Sequence, residues 1–208
     1  MAFSFPLTLP TSPVAPRSVV WHQQSVAAKT ESPFSLSQQI QVHQGERWFV
    51  ELEYPPMERA AGSDWEAFFA KLNGLEGTFL LPTYGRKTPR GSVPGTPQVN
   101  GASQTGKSLL TKGWAATQTG ILLPGDFIQI GTGATARLYM NLVSADSDGG
   151  GLSTLDIWPR LRESPADSAT IVTSNGVGLF RLTNNDRSYD INTAIHFGIS
   201  LLAMEAVP

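Results

Sequence analysis

Residues 47–54 read Arg-Trp-Phe-Val-Glu-Leu-Glu-Tyr. Trp48, Val50, Leu52 and Tyr54 recur at every second position, with Arg47, Glu51 and Glu53 between them and Phe49 as the exception. Successive side chains of a pleated chain point to opposite sides, so this period is that of a strand with one buried face. Before it, Leu36, Gln38, Ile40 and Val42 give another strand, and Gln44-Gly45 offers a turn, so 36–54 is expected to be a hairpin. Earlier still, residues 1–17 carry Pro6, Pro10, Pro13 and Pro16. Proline blocks helix and interrupts strand ladders, so this segment is expected to be an extended arm that either clasps a neighbouring subunit or frays.

Downstream, Trp65, Phe68, Phe69 and Leu72 fall at i, i+3, i+4 and i+7, the stripe of an amphipathic helix over 63–73. Ser63 and Glu66 have capping-box spacing, and Gly74 is a natural C-terminal cap. A strand is expected over 77–84. Residues 85–106 then hold five glycines and three prolines with few apolar residues, the texture of a linker or long loop. Short strands follow near 118–123, 126–131, 136–143, 152–158, 169–173 and 177–182, with the clearest turns at Gly125-Asp126 and Asp148-Gly-Gly-Gly151. From Tyr189 to Val207, Ile191, Ala194, Ile195, Phe197, Ile199, Leu201 and Leu202 suggest one or two strands that return to the first domain. The expectation is a mainly β protein. Residues 1–88 and 183–208 form a β-sandwich with one helix, and 89–182 form a small inserted β-barrel-like domain.

Composition narrows the function. Charged residues make up 15% of the 208, against about 25% in an ordinary soluble domain. A surface so poor in charge suits a chain packed against neighbours. The net charge of −2 gives no basic field for nucleic acid, and Arg86, Lys87 and Arg90 read as a loop tip. The absence of cysteine removes disulfides, thiolate metal sites and a cysteine nucleophile. The first basic residue is Arg17 and no apolar run reaches about 18 residues, so neither a signal peptide nor a membrane span is expected, and assembly is expected in the cytoplasm.

Several motifs invite chemistry and lack its context. Gly101-Ala-Ser-Gln-Thr-Gly-Lys-Ser108 matches the phosphate-loop pattern. That pattern needs a buried strand before it and a helix after it, so that backbone N–H groups converge on phosphate. Here prolines and glycines precede it, Gly113 follows closely, and Asp156 is the nearest weak candidate for a magnesium-holding acid. A glycine-rich turn with a solvated Lys107 is expected. Asp146-Ser-Asp148-Gly-Gly-Gly151 hints at a calcium loop but puts Ile157 where a bidentate glutamate is required. His22, His43 and His196 lack metal-like spacing, and Glu51, Glu53 and Asp64 are not marked out as a carboxylate pair. No catalytic, cofactor or metal residue is therefore assigned, and no enzyme is expected. Among the tryptophans, Trp48 and Trp65 read as core. Trp21, Trp114 and Trp158 could contribute to a sugar-stacking face, which calls for an exposed Trp114 or Trp158, although interface packing is the commoner use.

The succession of the second domain has a texture of its own. It runs Val99-Asn-Gly-Ala-Ser-Gln-Thr-Gly106, Leu110-Thr-Lys-Gly-Trp114, Leu123-Pro-Gly-Asp-Phe-Ile-Gln-Ile130, Arg137-Leu-Tyr139, Leu155-Asp-Ile-Trp-Pro159, Leu161-Arg162 and Leu179-Phe-Arg-Leu182. This order resembles the distal tail proteins of long-tailed bacteriophages, over about half of the chain. The resemblance implies a non-catalytic virion protein of the tail tip: a ring of subunits, typically six, joining the tail tube protein to the tail hub protein, with a small β-barrel domain facing outward. It implies no cofactor. The alternative function is a carbohydrate-binding β-sandwich module that attaches to a host-surface saccharide.

Overall fold

The computed structural model describes residues 3–13, 15–186, 188–191 and 196–207. The chain is mainly β, with one α-helix among the described residues. In order, the elements are β1 (Leu7–Thr8), β2 (Ser18–Glu31), β3 (Gln38–Glu53), α1 (Arg59–Leu72), β4 (Thr78–Pro82), β5 (Gly95–Val99), β6 (Ser108–Trp114), β7 (Phe127–Ile130), β8 (Arg137–Asn141), β9 (Ser153–Trp158), β10 (Ile171–Val172), β11 (Val177–Leu182), β12 (Asp190–Ile191), β13 (Phe197–Gly198) and β14 (Ser200–Glu205). One six-stranded sheet runs β1-β4-β11-β14-β3-β2, and a second runs β10-β7-β8-β9-β6-β5. A bridge between Gln98 and Thr170 joins the outer strands of the second sheet, so it closes almost fully into a barrel.

The buried face of β3 is covered twice. At the Leu52 end lies α1, with the Trp65 ring 4.4 Å from that of Tyr54. At the Trp48 end lies the barrel: Trp158 meets Trp48 edge-on at 4.4 Å, Phe127 tilts against it at 5.3 Å, and the indole N–H donates to Leu138 O at 3.0 Å. Each such aromatic pair contributes about 0.5–1.5 kcal/mol beyond its buried area. Beside this seam, Arg162 donates to Glu205 at 2.6 Å, both side chains almost completely buried. The chain leaves the first sheet after β4 and returns at β11 beside it, where Thr83 N–H donates to Gly176 O at 3.1 Å.

The structure corrects several sequence expectations. There is no turn at Gln44-Gly45. β3 runs through it and pairs with β2, and the turn lies at residues 32–37. Ser25 faces Glu46 and Ala27 faces Val42, so Val26 alone stands against His43, Gln44 and Gly45. Gly45 marks this bulge: a β-carbon there would come 2.9 Å from Val26 Cγ2.

The stretch read as linker contains β5. Pro97 is tolerated because β5 ends the strand order. Gly95 and Gly113 serve close backbone approach, since a β-carbon on either would meet a carbonyl oxygen of the other strand at 2.4 Å. β6, not expected as a strand, follows, whereas 118–123 holds only a bridge from Leu122 to Ala145.

The helix begins at Arg59, not Ser63, and its N-cap Glu58 makes no side-chain cap bond, so the expected capping box is unused. Strand 177–182, assigned to the inserted domain, lies in the first sheet between β4 and β14. Its burial on the seam explains the confusion, because Phe180 is as apolar in context as any barrel strand residue. Finally, the N-terminal segment packs on its own body. Phe5, Leu7 and Leu9 sit against the core, and Ser12 O accepts the Trp65 indole N–H at 3.0 Å. Within the last segment β14 lies between β11 and β3; Ala194 and Ile195 lie outside the described residues.

Candidate functional site

The most unusual surface is the far half of the β2–β3 hairpin. Every residue from His22 to Gly45 is exposed except the half-buried Ser32. Eight residues of β3, Gln38 to Gly45, thus project beyond the core, about 25 Å at strand rise. Directly opposed residues share a face. One face carries Ala27 with Val42, Lys29 with Ile40, and Glu31 with Gln38. The other carries Ala28 with Gln41 and Thr30 with Gln39. The apolar face is the outward continuation of the side on which Trp48, Val50 and Leu52 are buried. Val42 is 76% exposed and Ile40 54%.

The tip is built by serines. Ser32 Oγ accepts the N–H groups of Phe34 and Ser35, each at 3.4 Å, and Leu36 N–H donates to Ser32 O at 3.0 Å. This turn holds Phe34 98% exposed and Leu36 in the left-handed region at φ 57°. A non-glycine residue there is strained. Beyond His22 the arm's only carboxylate and ammonium, Glu31 and Lys29, pair with each other at 2.8 Å. Lys29, with help from Gln38, holds the Glu31 carboxyl below its usual range. The arm is therefore close to neutral, with neither strand's outer edge blunted by proline in β2 or β3. A lone two-stranded hairpin is marginal in water. Covering Val26, Phe34, Leu36, Ile40 and Val42 would yield on the order of 10 kcal/mol before association costs.

The root of the arm is clamped to the barrel. Glu46 Oε1 takes Lys107 Nζ at 2.5 Å, and Glu46 Oε2 takes Arg160 N–H at 2.9 Å. Burial alone would raise the Glu46 carboxyl, but these donors outweigh it and hold it below its usual range.

That clamp answers the phosphate-loop motif. Lys107 is paired with a carboxylate, and a strand follows Ser108 where phosphate binding requires a helix. Gln104 ties the loop into a turn: its side-chain amide donates to the carbonyls of Asn100, Gly101 and Leu110, and its oxygen accepts Leu110 N–H at 2.7 Å. The calcium-like carboxylates are engaged too. Asp148 Oδ1 accepts the N–H groups of Gly150 and Leu152, and Asp146 accepts Gly120 N–H. Among the described residues no group of three or more His, Asp or Glu could hold a metal, and no helix is long and apolar enough to cross a membrane.

The remaining candidates do not converge. His22 contacts Glu51 at 3.2 Å, Glu53 pairs with Arg17 at 2.9 Å, and Asp64 is exposed on α1. His43 lies on the arm and His196 just before β13. Asp156 sits in β9 opposite Ser108. The basic cluster is not a loop tip: Arg86 stacks over Phe127, Lys87 O accepts Asn175 N–H, and Arg90 N–H donates to Asp126, so it lies where the chain crosses between the sheets. Trp114 and Trp158 are buried, at 5% and 7% exposure, so neither offers a stacking face to sugar. Trp21 packs edge-on against Trp48 at 5.5 Å.

Sequence reading missed Phe34 and Leu36 as exposed apolar residues of a turn. The usable signal was Ser32-Pro-Phe-Ser35, a turn signature that competes with Gln44-Gly45 for the reversal. No protein-family model matches the chain, and no curated protein matches it significantly.

Proposed function

We propose that the chain is a non-catalytic structural subunit that assembles with copies of itself through the β2–β3 arm. On this reading the assembly is a closed ring, of six copies by the family resemblance, at the tail tip of a long-tailed bacteriophage virion. There it joins the tail tube to the hub, having been assembled in the host cytoplasm. The observation that supports self-assembly is the arm: an unblunted, nearly neutral hairpin whose apolar face runs out past its own core. The tail-tip placement rests on the resemblance of residues 99–182. Mechanically, the arm of one copy lies on the next, a head-to-tail contact that closes when the rotation per copy divides a full turn.

Light scattering of the purified chain over a concentration series tests this. The expected result is a single multiple of the chain mass, reduced to the monomer by Val42→Glu. A wild type that stays monomeric at every concentration, with or without tube and hub proteins, sinks the reading.

A further inference from the structure

A different feature lies at the mouth of the barrel. β7 passes to β8 through a short 3-10 turn, Gly133–Thr135, and Arg137 opens β8. Leu138 faces the seam with the first sheet, while Tyr139 belongs to the barrel core. Arg137, two residues from Tyr139, shares its inward side. It is only 7% exposed. Its NH1 donates to the carbonyls of Ala134 and Ala136, both at 3.3 Å, and its Nε–H is enclosed without an acceptor. Among the described residues no carboxylate pairs with it. The guanidinium of Arg162, likewise deeply buried, has Glu205. A buried cation answered by carbonyl dipoles alone is costly, and such charges are ordinarily paired.

Beside Arg137 opens a cleft of about 250 Å³, walled by Ile130, Leu161 and Pro165 and lined also by Thr135, Tyr139 and Ser164. Mouths of small barrels are common ligand positions. We infer that this cleft binds a small carboxylate-bearing ligand whose charge is answered by Arg137. One guanidinium matches one planar carboxylate in charge and in fork geometry. Glu163 on the rim disfavours a dianion such as phosphate. The Tyr139 hydroxyl accepts Arg162 N–H at 3.4 Å, which leaves its own proton to donate. Burial pushes that phenol up to about 12, so it remains a donor across neutral pH.

The carboxylate can come from an acidic sugar or from a plain organic acid. Calorimetric titration of the full chain with glucuronate, cyclohexanecarboxylate and glucose separates them. Binding of glucuronate alone supports the sugar acid; binding of both acids supports a general carboxylate site. Binding of glucose as tight as that of glucuronate, or of none of the three, overturns the inference. Arg137→Gln should weaken acid binding roughly tenfold or more, as loss of a charged hydrogen bond implies. Ala166→Trp, on the exposed rim, should block the cleft with the charge intact, and so keeps the test open if Arg137→Gln fails to fold. Glu163→Gln should tighten binding without changing Tm. A lowered Tm there, with no acid bound by the wild type, makes Glu163 the counter-ion and overturns the ligand.

Discussion

The root and the tip of the β2–β3 hairpin are made from the same two strands, yet they meet opposite physical fates. At the root, Trp48 lies against Trp158, Phe127 and Trp21, and Glu46 is held by Lys107 and Arg160. A few residues on, Val42 and Ile40 occupy the same face with nothing over them. The alternation of β3 does not change between the halves; what changes is whether another element stands opposite. A one-faced apolar pattern in sequence therefore marks which side of a strand is apolar, and not whether another element stands over it.

The comparison is broken most forcefully at the root. Trp48→Ala removes an almost fully buried indole and its bond to Leu138 O. It should cost about 3–5 kcal/mol in urea unfolding. Val42→Ala on the same face should leave the monomer within about 0.5 kcal/mol. Equal losses at the two positions would mean that the arm is covered within its own chain.

Next comes the ion pair on the seam. Arg162→Met strands the Glu205 carboxylate and should cost about 3–5 kcal/mol, while Arg162→Met with Glu205→Leu should recover most of it. A double variant no better than the single one would place the loss on packing or on the buried Trp48 N–H, which Glu205 also accepts at 3.2 Å.

A smaller effect is expected at the root clamp. The Glu46 carboxyl is lowered in the folded chain, so its contribution to stability is full above the ordinary glutamate range. It fades as pH falls through the lowered folded value. In Glu46→Gln that part of the acid-side slope should vanish, as read from urea midpoints between pH 3 and 7. An unchanged slope would place the acid sensitivity on another carboxylate.

Much of this was legible in sequence, for reasons that can be named. The Trp48–Tyr54 alternation and the Trp65–Leu72 stripe were readable because each is an element with one apolar face and one core to bury it. The arm was misread because Gly45 carries two meanings, turn and bulge, and only the Val26 side chain opposite decides between them. β5 was hidden because Pro97 is permitted by its place at the end of the strand order, and Gly95 and Gly113 by the close approach of β5 to β6, which only the folded sheet defines. The barrel-mouth arginine was invisible for a similar reason: Arg137 in Ala-Arg-Leu-Tyr reads as a solvated strand residue until the 161–169 loop is laid over it.

The smallest expected effect on folding is at the tip, and it makes the comparison sharpest. Phe34 is held out by the Ser32 turn and makes no ring contact among the described residues, so Phe34→Ser should leave the unfolding midpoint of the monomer unchanged within about 0.5 kcal/mol. Hydrogen exchange then distinguishes the two halves directly. In the monomer, amides of 24–30 and 39–44 should exchange through local opening, long before those of 48–52, which require the core to unfold. In the assembled protein the arm amides should become protected, and Phe34→Ser should remove that protection while leaving 48–52 untouched. Protection of the arm in a dilute monomer would instead mean that the hairpin is stable alone, and the need for a neighbour would disappear with it.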